Sequence, residues 1–285
     1  MVFAHGTHDP VAEAAFIVGE ALKVHPDRVE ALASRHVTAA QREAVARVVA
    51  QRIETRKPAA YLLRRIYMRG VPFYVDERAI VPRSYIGEIL DDDLFETLID
   101  PAKVQTILDL CTGSGCLAVL AALRFPRARV DAADLSKDAL AVARKNVALH
   151  RLGRRIRLVQ ADLFAPLAGK RYDLIVANPP YVDAKGMRRL PPECRHEPAL
   201  AFDGGRDGIA LVRRIIDAAG RHLTANGGLL CEVGRCRPAL ERAYPRLRFL
   251  WLDTEESSGE VFWLDAAQLS AVIPGRERSS RARNP

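Results

Sequence analysis

The chain has 285 residues, 49% of them apolar and 27% charged, with 18 Gly and 17 Pro. That balance supplies aliphatic mass for a full core and excludes wholesale disorder and collagen-like repetition; the length suggests about two domains. The formal net charge is +8, and Arg276, Arg278, Arg281 and Arg283 concentrate part of it at the end of the chain. A basic tail points to a polyanion nearby, such as ribosomal RNA, and a solvated tail that aids solubility explains it equally well.

The most apolar run, residues 116–123, is far shorter than the roughly 20 residues a membrane helix needs. The first residues lack the basic-then-apolar pattern of a secretory signal. Five cysteines cannot all pair with one another, which fits a reducing, cytoplasmic setting without a membrane partner.

In chain order, Asp9-Pro10 reads as an N-cap followed by proline at the first helical position. Val11, Ala15, Val18 and Leu22 then recur at helical spacing. Thr38 and Gln41 form a capping box ahead of Ala44, Val45, Val48, Val49 and Ile53, and Lys57-Pro58 ends that helix. Residues 1–65 are therefore expected to form a small helical domain. Ile66-Tyr67-Met68 and Phe73-Tyr74-Val75, set around Gly70 and Pro72, predict a β-hairpin connector over 66–83. A third region, 84–274, opens with a helix over 85–99. From residue 104 apolar strands and helices alternate. Strands are expected at 106–110, 130–133, 156–159, 172–177, 228–233, 247–252 and 261–264, with helices over 137–150 and 208–223. This is the pattern of an α/β fold, a doubly wound seven-stranded mostly parallel sheet. The Arg/Ser-rich residues 275–285 are expected to be disordered.

A glycine loop, Asp109-Leu-Cys-Thr-Gly113-Ser-Gly115-Cys116, follows the first parallel strand and opens a helix. Gly113 and Gly115 let the backbone turn tightly and approach a ligand. Asp134 ends the next strand, where a carboxylate can accept both ribose hydroxyls of an adenosine ligand. NAD and S-adenosylmethionine (SAM) both satisfy these features. Asp109 favours SAM, because a carboxylate suits its cationic methionyl end and repels a pyrophosphate. Asp162-Leu163, after the third strand, can hold the adenine, the carboxylate by its amine and Leu163 by its face. A helix N-cap is the competing reading of Asp162.

Asn178-Pro179-Pro180-Tyr181 follows the fourth strand, at the carboxyl end where open α/β sheets place ligands. An amide or aryl-amine nitrogen is a poor nucleophile because its lone pair is delocalised. Two acceptors aimed at its two N–H groups would hold it and favour a more pyramidal nitrogen. The Asn178 side-chain oxygen and the Pro179 carbonyl can be those acceptors. The prolines stiffen the loop, and Tyr181 offers a flat surface for stacking. Each acceptor contributes on the order of 1–3 kcal/mol, so most of the rate must come from in-line positioning. Cys111/Cys116 and Cys231/Cys236 resemble metal-binding pairs, but core cysteine is favoured and no metal is expected. His196-Glu197 reads either as a grip on substrate or as part of a structural loop.

These residues resemble class I (Rossmann-like) SAM-dependent methyltransferases, and more narrowly the family that methylates glutamine side-chain amides in translation proteins. The segments that carry the resemblance are Pro58-Ala-Ala-Tyr-Leu62, Phe73-Tyr-Val-Asp-Glu-Arg78, Val81-Pro-Arg-Ser-Tyr-Ile-Gly-Glu88, the glycine loop, Asn178-Pro-Pro-Tyr-Val-Asp183 and Arg195-His-Glu-Pro198. They run through nearly the whole chain. One bacterial branch of the family acts on peptide-chain release factors, the other on the L-three protein of the large ribosomal subunit, and the wording here resembles the second. Tyr85 departs from the expected proline. The resemblance implies SAM held by Cys111, Thr112, Gly113, Ser114, Gly115, Asp134, Leu163 and Asn178, beside the Asp109 and Asp162 read above. It also implies a target glutamine held by Asn178, Pro179, Pro180 and Tyr181, and a helical domain that helps dock a large-subunit ribosomal protein. Methylation of an exocyclic amine in DNA or RNA uses the same loop logic, but such enzymes usually carry a target-recognition region or a marked basic groove. A nucleotide-binding oxidoreductase or non-catalytic module is disfavoured by Asp109 and the catalytic loop.

Overall fold

The computed structural model describes residues 10–255 and 257–270. The expected cap Asp9 and the basic tail lie outside them. Three helices come first: α1 (Pro10–Leu22), α2 (Ala39–Thr55) and α3 (Ala59–Leu63). The capping box closes in both directions, with Gln41 N donating to Thr38 Oγ1 at 3.2 Å and Thr38 N to Gln41 Oε1 at 2.9 Å. The apolar stripes are corrected. α1 buries Phe16, Ile17 and Gly19, whereas Val11 is 70% exposed. Phe16 meets Tyr67 edge-on and packs with Ala59, Ala60 and Tyr61, which turns the helix away from the expected stripe. α2 packs through Val45 and Val48 and leaves Ile53 58% exposed.

Strands β1 (Ile66–Met68) and β2 (Val71–Phe73) form the expected hairpin, with Met68 opposite Val71. Its two-residue turn, Arg69-Gly70, has both residues at positive φ, as the twist of a tight hairpin requires. The expected helix over 85–99 is broken. α4 covers only Ile86–Asp91, and a 3₁₀ turn follows at Asp93–Thr97. Asp92 is the cause: its carboxylate accepts from Leu94 N at 2.8 Å and restarts the chain.

The rest is one seven-stranded sheet: β3 (Thr106–Leu110), β4 (Arg129–Asp134), β5 (Ile156–Gln160), β6 (Tyr172–Ala177), β7 (Leu223–Glu232), β8 (Leu250–Leu252) and β9 (Val261–Asp265). Its order is β5-β4-β3-β6-β7-β9-β8, parallel except for β9, which runs antiparallel to β7 and β8. Between the strands lie α5 (Cys116–Arg124), α6 (Lys137–Leu149), α7 (Ala184–Met187), α8 (Ala210–His222) and α9 (Arg237–Ala243), with α10 (Ala266–Ser270) last. Side chains alternate between the two faces. Ile107, Leu174, Val176 and Leu230 pack beneath α4 and α5, while Leu108, Leu110, Ile175 and Leu229 pack beneath α8 and α10. Among the described residues no helix is long and apolar enough to cross a membrane.

This order fixes where a ligand can enter. The strands progress outward from β3 to β5, and the chain then returns to the other side of β3 as β6. The loops leaving β3 and β6 therefore diverge and open a crevice between them.

Candidate active site at the carboxyl ends of the strands

Sheet register aligns the chemistry. Leu110 pairs with Ala133 on one side and Ala177 on the other, and Ala177 pairs with Cys231. The next residue on each strand is Asp134, Cys111, Asn178 and Glu232. Residues far apart in sequence thus stand in one row at the mouth of the crevice.

Two cavities meet at this row. A smaller one is lined by Cys111, Gly113, Asp134, Asp162, Leu163 and Asn178, among others. A cleft of about 620 Å³ adjoins it, walled by Met68, residues 80–85, Thr112, Ser114 and Asn178, Pro179, Pro180 and Tyr181. Asn178, Pro180, Cys111 and Gly113 belong to both walls.

The residues expected at the cofactor are sorted by this geometry. Asp134 stands at the smaller cavity, where its two carboxylate oxygens accept from Gly113 N and Ser136 N, each at 2.8 Å. It ties the glycine loop to the start of α6, and burial raises its pKa. Cys111 and Leu163 both hold a left-handed backbone, with φ of 57° and 51°. Strain of that kind, costing on the order of 1–3 kcal/mol, collects where a loop is shaped for a ligand. Asp162 lies on the cavity wall but pairs with Arg214, both its oxygens 2.9 Å from the guanidinium. The N-cap reading of Asp162 is not met, since only the 3₁₀ turn Ala165–Leu167 follows.

Two residues are corrected, because they line neither cavity. Asp109 is fully buried behind the glycine loop. The period-2 alternation of β3 turns it toward α5, away from the crevice. There it accepts a short hydrogen bond from the Thr112 hydroxyl and staples the loop. Burial pushes its pKa up to about 7. Gly115 serves helix packing. A Cβ there would fall 3.0 Å from that of Ala143, and its φ of 81° is unfavourable for any other residue. Thr112 and Ser114 face the cleft and not the smaller cavity; Ser114 O accepts from Asn146 Nδ2 at 2.8 Å.

The loop after β6 is held at Asn178, Tyr181 and Val182. Asn178 Nδ2 donates to the carbonyl of Arg83 at 2.9 Å. That bond commits the amide nitrogen and leaves Oδ1 as an acceptor where the two cavities join. The Tyr181 carbonyl accepts from Cys236 Sγ at 3.2 Å, and its hydroxyl donates to Glu232 Oε1 at 3.1 Å. The Tyr181 ring lies against Gly234, where a Cβ would come within 2.6 Å of it. Val182 N donates to Phe202 O at 2.8 Å and closes the loop.

The stretch expected either to grip substrate or to build a loop does the second. His196 Nε2 lies 2.9 Å from the carbonyl of Thr55. Glu197 Oε2 accepts from Val81 N at 2.8 Å. Nearby Glu193, fully buried, pairs with Arg56 at 2.6 Å and Arg52 at 3.7 Å. This segment therefore ties α2 and the extended stretch 81–85 to one another. Among the described residues no two cysteines are joined by a disulfide, and no cluster is suited to a metal.

Glu232 was missed by residue reading. It is the last residue of a recognisable strand, and a carboxylate at the carboxyl end of a parallel strand is itself a signal. Ile80, Pro198 and Leu211, which also line the smaller cavity, sit in loops or helix turns without a distinguishing pattern.

Comparison with known proteins gives this site its context. Residues 92–190 match the family model "Methyltransferase small domain". The ribosomal protein uL3 glutamine methyltransferase of Bradyrhizobium diazoefficiens is 62% identical over 275 residues, covering 94% of this chain and 86% of that one. The enzyme of the same description from Burkholderia pseudomallei is 47% identical, covering 95% and 91%. A crystal structure of a methyltransferase from Pyrococcus furiosus shares the fold at 14% identity, with a TM-score of 0.50 over 78% of this chain and 96% of that one. The chain belongs to the ribosomal protein uL3 glutamine methyltransferase family.

Proposed function

We propose that this enzyme transfers a methyl group from SAM to the side-chain amide nitrogen of a glutamine in ribosomal protein uL3, in the cytoplasm. One observation carries the reading. Asn178, at the junction of the two cavities, has its amide nitrogen locked onto the Arg83 carbonyl, so its oxygen remains to accept from a substrate amide.

The residues present fit SAM. Asp134 offers carboxylate lone pairs to ribose hydroxyls, and Leu163, Ala133, Ala161 and Leu211 give the smaller cavity an apolar lining for adenine. Asp109, behind the loop, acts only indirectly, by holding Thr112 and with it the shape of the glycine loop. When bound, SAM supplies a methyl on a positively charged sulfur, which needs no separate activating group.

The chain's own part is to hold and orient. Asn178 Oδ1 and the Pro179 carbonyl accept the two amide N–H bonds. Two prolines and the ties of Tyr181 keep the loop from moving, so positioning and not added charge provides most of the rate. As the N–C bond forms and the C–S bond breaks, one amide proton leaves to water.

The test is incubation of the enzyme with labelled SAM and, separately, purified uL3, release factors and ribosomal RNA. Mass spectrometry should find one methyl on a glutamine of uL3. Label found only in a release factor or in RNA would overturn the substrate assignment.

A further inference from the structure

We propose that Glu232 is a positioning residue for methyl transfer, tying Tyr181 to Ser84 and Tyr85 and thereby fixing the slot that receives the target carboxamide. The proposal rests on the reading above and names a residue that the reading does not use.

Glu232 ends β7 beside the strand that delivers Asn178, is 1% exposed, and lines the cleft. Its Oε2 accepts from Ser84 Oγ at 2.6 Å and from Tyr85 N at 3.0 Å, and its Oε1 accepts from the Tyr181 hydroxyl at 3.1 Å. All three donors are neutral, and the charged neighbour that acts on it is another carboxylate, Glu260. A buried carboxylate without a counter-charge is costly to keep, and burial pushes its pKa up to about 7. What it gains is convergence. One carboxylate joins two walls of the cleft, adding to the bond from Asn178 to the Arg83 carbonyl a second tie that reaches the Tyr181 hydroxyl.

The stretch 81–85 is held at three points from three different parts of the chain. Glu197 takes Val81 N, Asn178 takes the Arg83 carbonyl, and Glu232 takes Ser84 and Tyr85. Two of these holders are neighbours in the row of strand ends. Cutting the Glu232 tie therefore loosens the Tyr181 ring and residues 84–85 together, while leaving the lining of the smaller cavity untouched. Glu232 is absent from that cavity's lining.

A glutamine at 232 can keep the network. Its oxygen accepts from Ser84 and Tyr85, and its Nε2 donates to the Tyr181 oxygen with the hydroxyl reversed. Glu232→Gln thus preserves position and removes only charge, whereas Glu232→Ala removes all three ties.

The experiment measures steady-state kinetics of the full chain with purified uL3, and SAM affinity by calorimetry. Glu232→Ala should lose kcat by about 10- to 100-fold while the SAM dissociation constant stays within about threefold, and Glu232→Gln should retain at least about a third of wild-type kcat. Tyr181→Phe, which cuts only the hydroxyl link, should lower kcat by about fivefold or more in the wild-type background and by less than about twofold in Glu232→Ala. If Glu232→Ala does not fold, the Glu232→Gln and Tyr181→Phe results decide. Full activity in Glu232→Ala or in Tyr181→Phe overturns the proposal. So does a Glu232→Gln enzyme as impaired as Glu232→Ala, since the carboxylate would then act by its charge. A wild-type chain that leaves uL3 unmethylated would overturn the substrate reading instead, and the positioning role with it.

Discussion

In the sheet, Ile107, Leu108, Leu110, Leu174, Ile175 and Leu229 are all inaccessible to solvent, whereas in α2 the one buried residue is an arginine. The two regions are held by different physics. The sheet is fixed by apolar burial on both faces, so its strand ends can carry strained loops and buried carboxylates without shifting. The first helices have a thin core, where Phe16, Ile17 and Tyr61 share one small cluster with Val75 and Val81, and polar ties add to it. Those ties are Arg52 and Arg56 on Glu193, His196 on Thr55, and Tyr61 on the Ala79 carbonyl at 2.6 Å. Chemistry is placed on the rigid part, and the part expected to dock a protein is attached through bonds that few changes would break.

The largest expected effect concerns the buried carboxylates of the sheet. Asp109 and Glu232 both have their pKa pushed up to about 7 by burial. The folded state then binds protons that the unfolded chain releases above about pH 4, so stability from these groups is lost as pH rises from about 4 to about 7. Asp109→Asn and Glu232→Gln should each gain stability relative to wild type, on the order of a few kcal/mol, when thermal midpoints at pH 5 and pH 8 are compared. A constant difference across that range would show that neither group titrates there.

Next comes the junction between the regions. Glu193→Ala leaves Arg52 buried with Glu13 alone, 2.9 Å away, and frees Arg56. It should cost about 2–3 kcal/mol in denaturant unfolding, less than a fully orphaned charge because Glu13 remains. It should also raise KM for uL3 more than it lowers kcat. Asp134→Ala acts on the rigid side and should weaken SAM binding by about 1–3 kcal/mol with little change in KM for uL3; an unchanged SAM dissociation constant would remove Asp134 from the ribose role. The smallest effect belongs to the exposed stripe of α2, where Ile53→Ser should change stability by less than about 0.5 kcal/mol. A larger loss would mean that this face is covered.

The same contrast explains what was legible in the sequence. The strands of the sheet are short, nearly continuous apolar runs bounded by turn signals, so Thr106–Leu110 and Tyr172–Ala177 could be read directly. The helices could be located but not oriented. Periodicity says that a face is apolar, not which neighbour claims it, and tertiary contacts of Phe16 overrode the stripe through Val11. Asp109 was misplaced because residue type suggested a ligand contact, while strand alternation had already turned it inward. Glu232 escaped notice because its partners, Ser84, Tyr85 and Tyr181, lie 51 or more positions away in sequence. Asp92 shows the local limit, where one side-chain bond divided a helix that apolar spacing alone made continuous.

The central claim is that a locked side-chain oxygen at the meeting point of two cavities holds the carboxamide being methylated. Asn178→Ala tests it most directly, with methyl transfer to uL3 and SAM affinity measured on the same preparation. The account predicts that kcat falls at least about a hundredfold while the SAM dissociation constant changes less than about tenfold. Turnover within a few fold of wild type would contradict it.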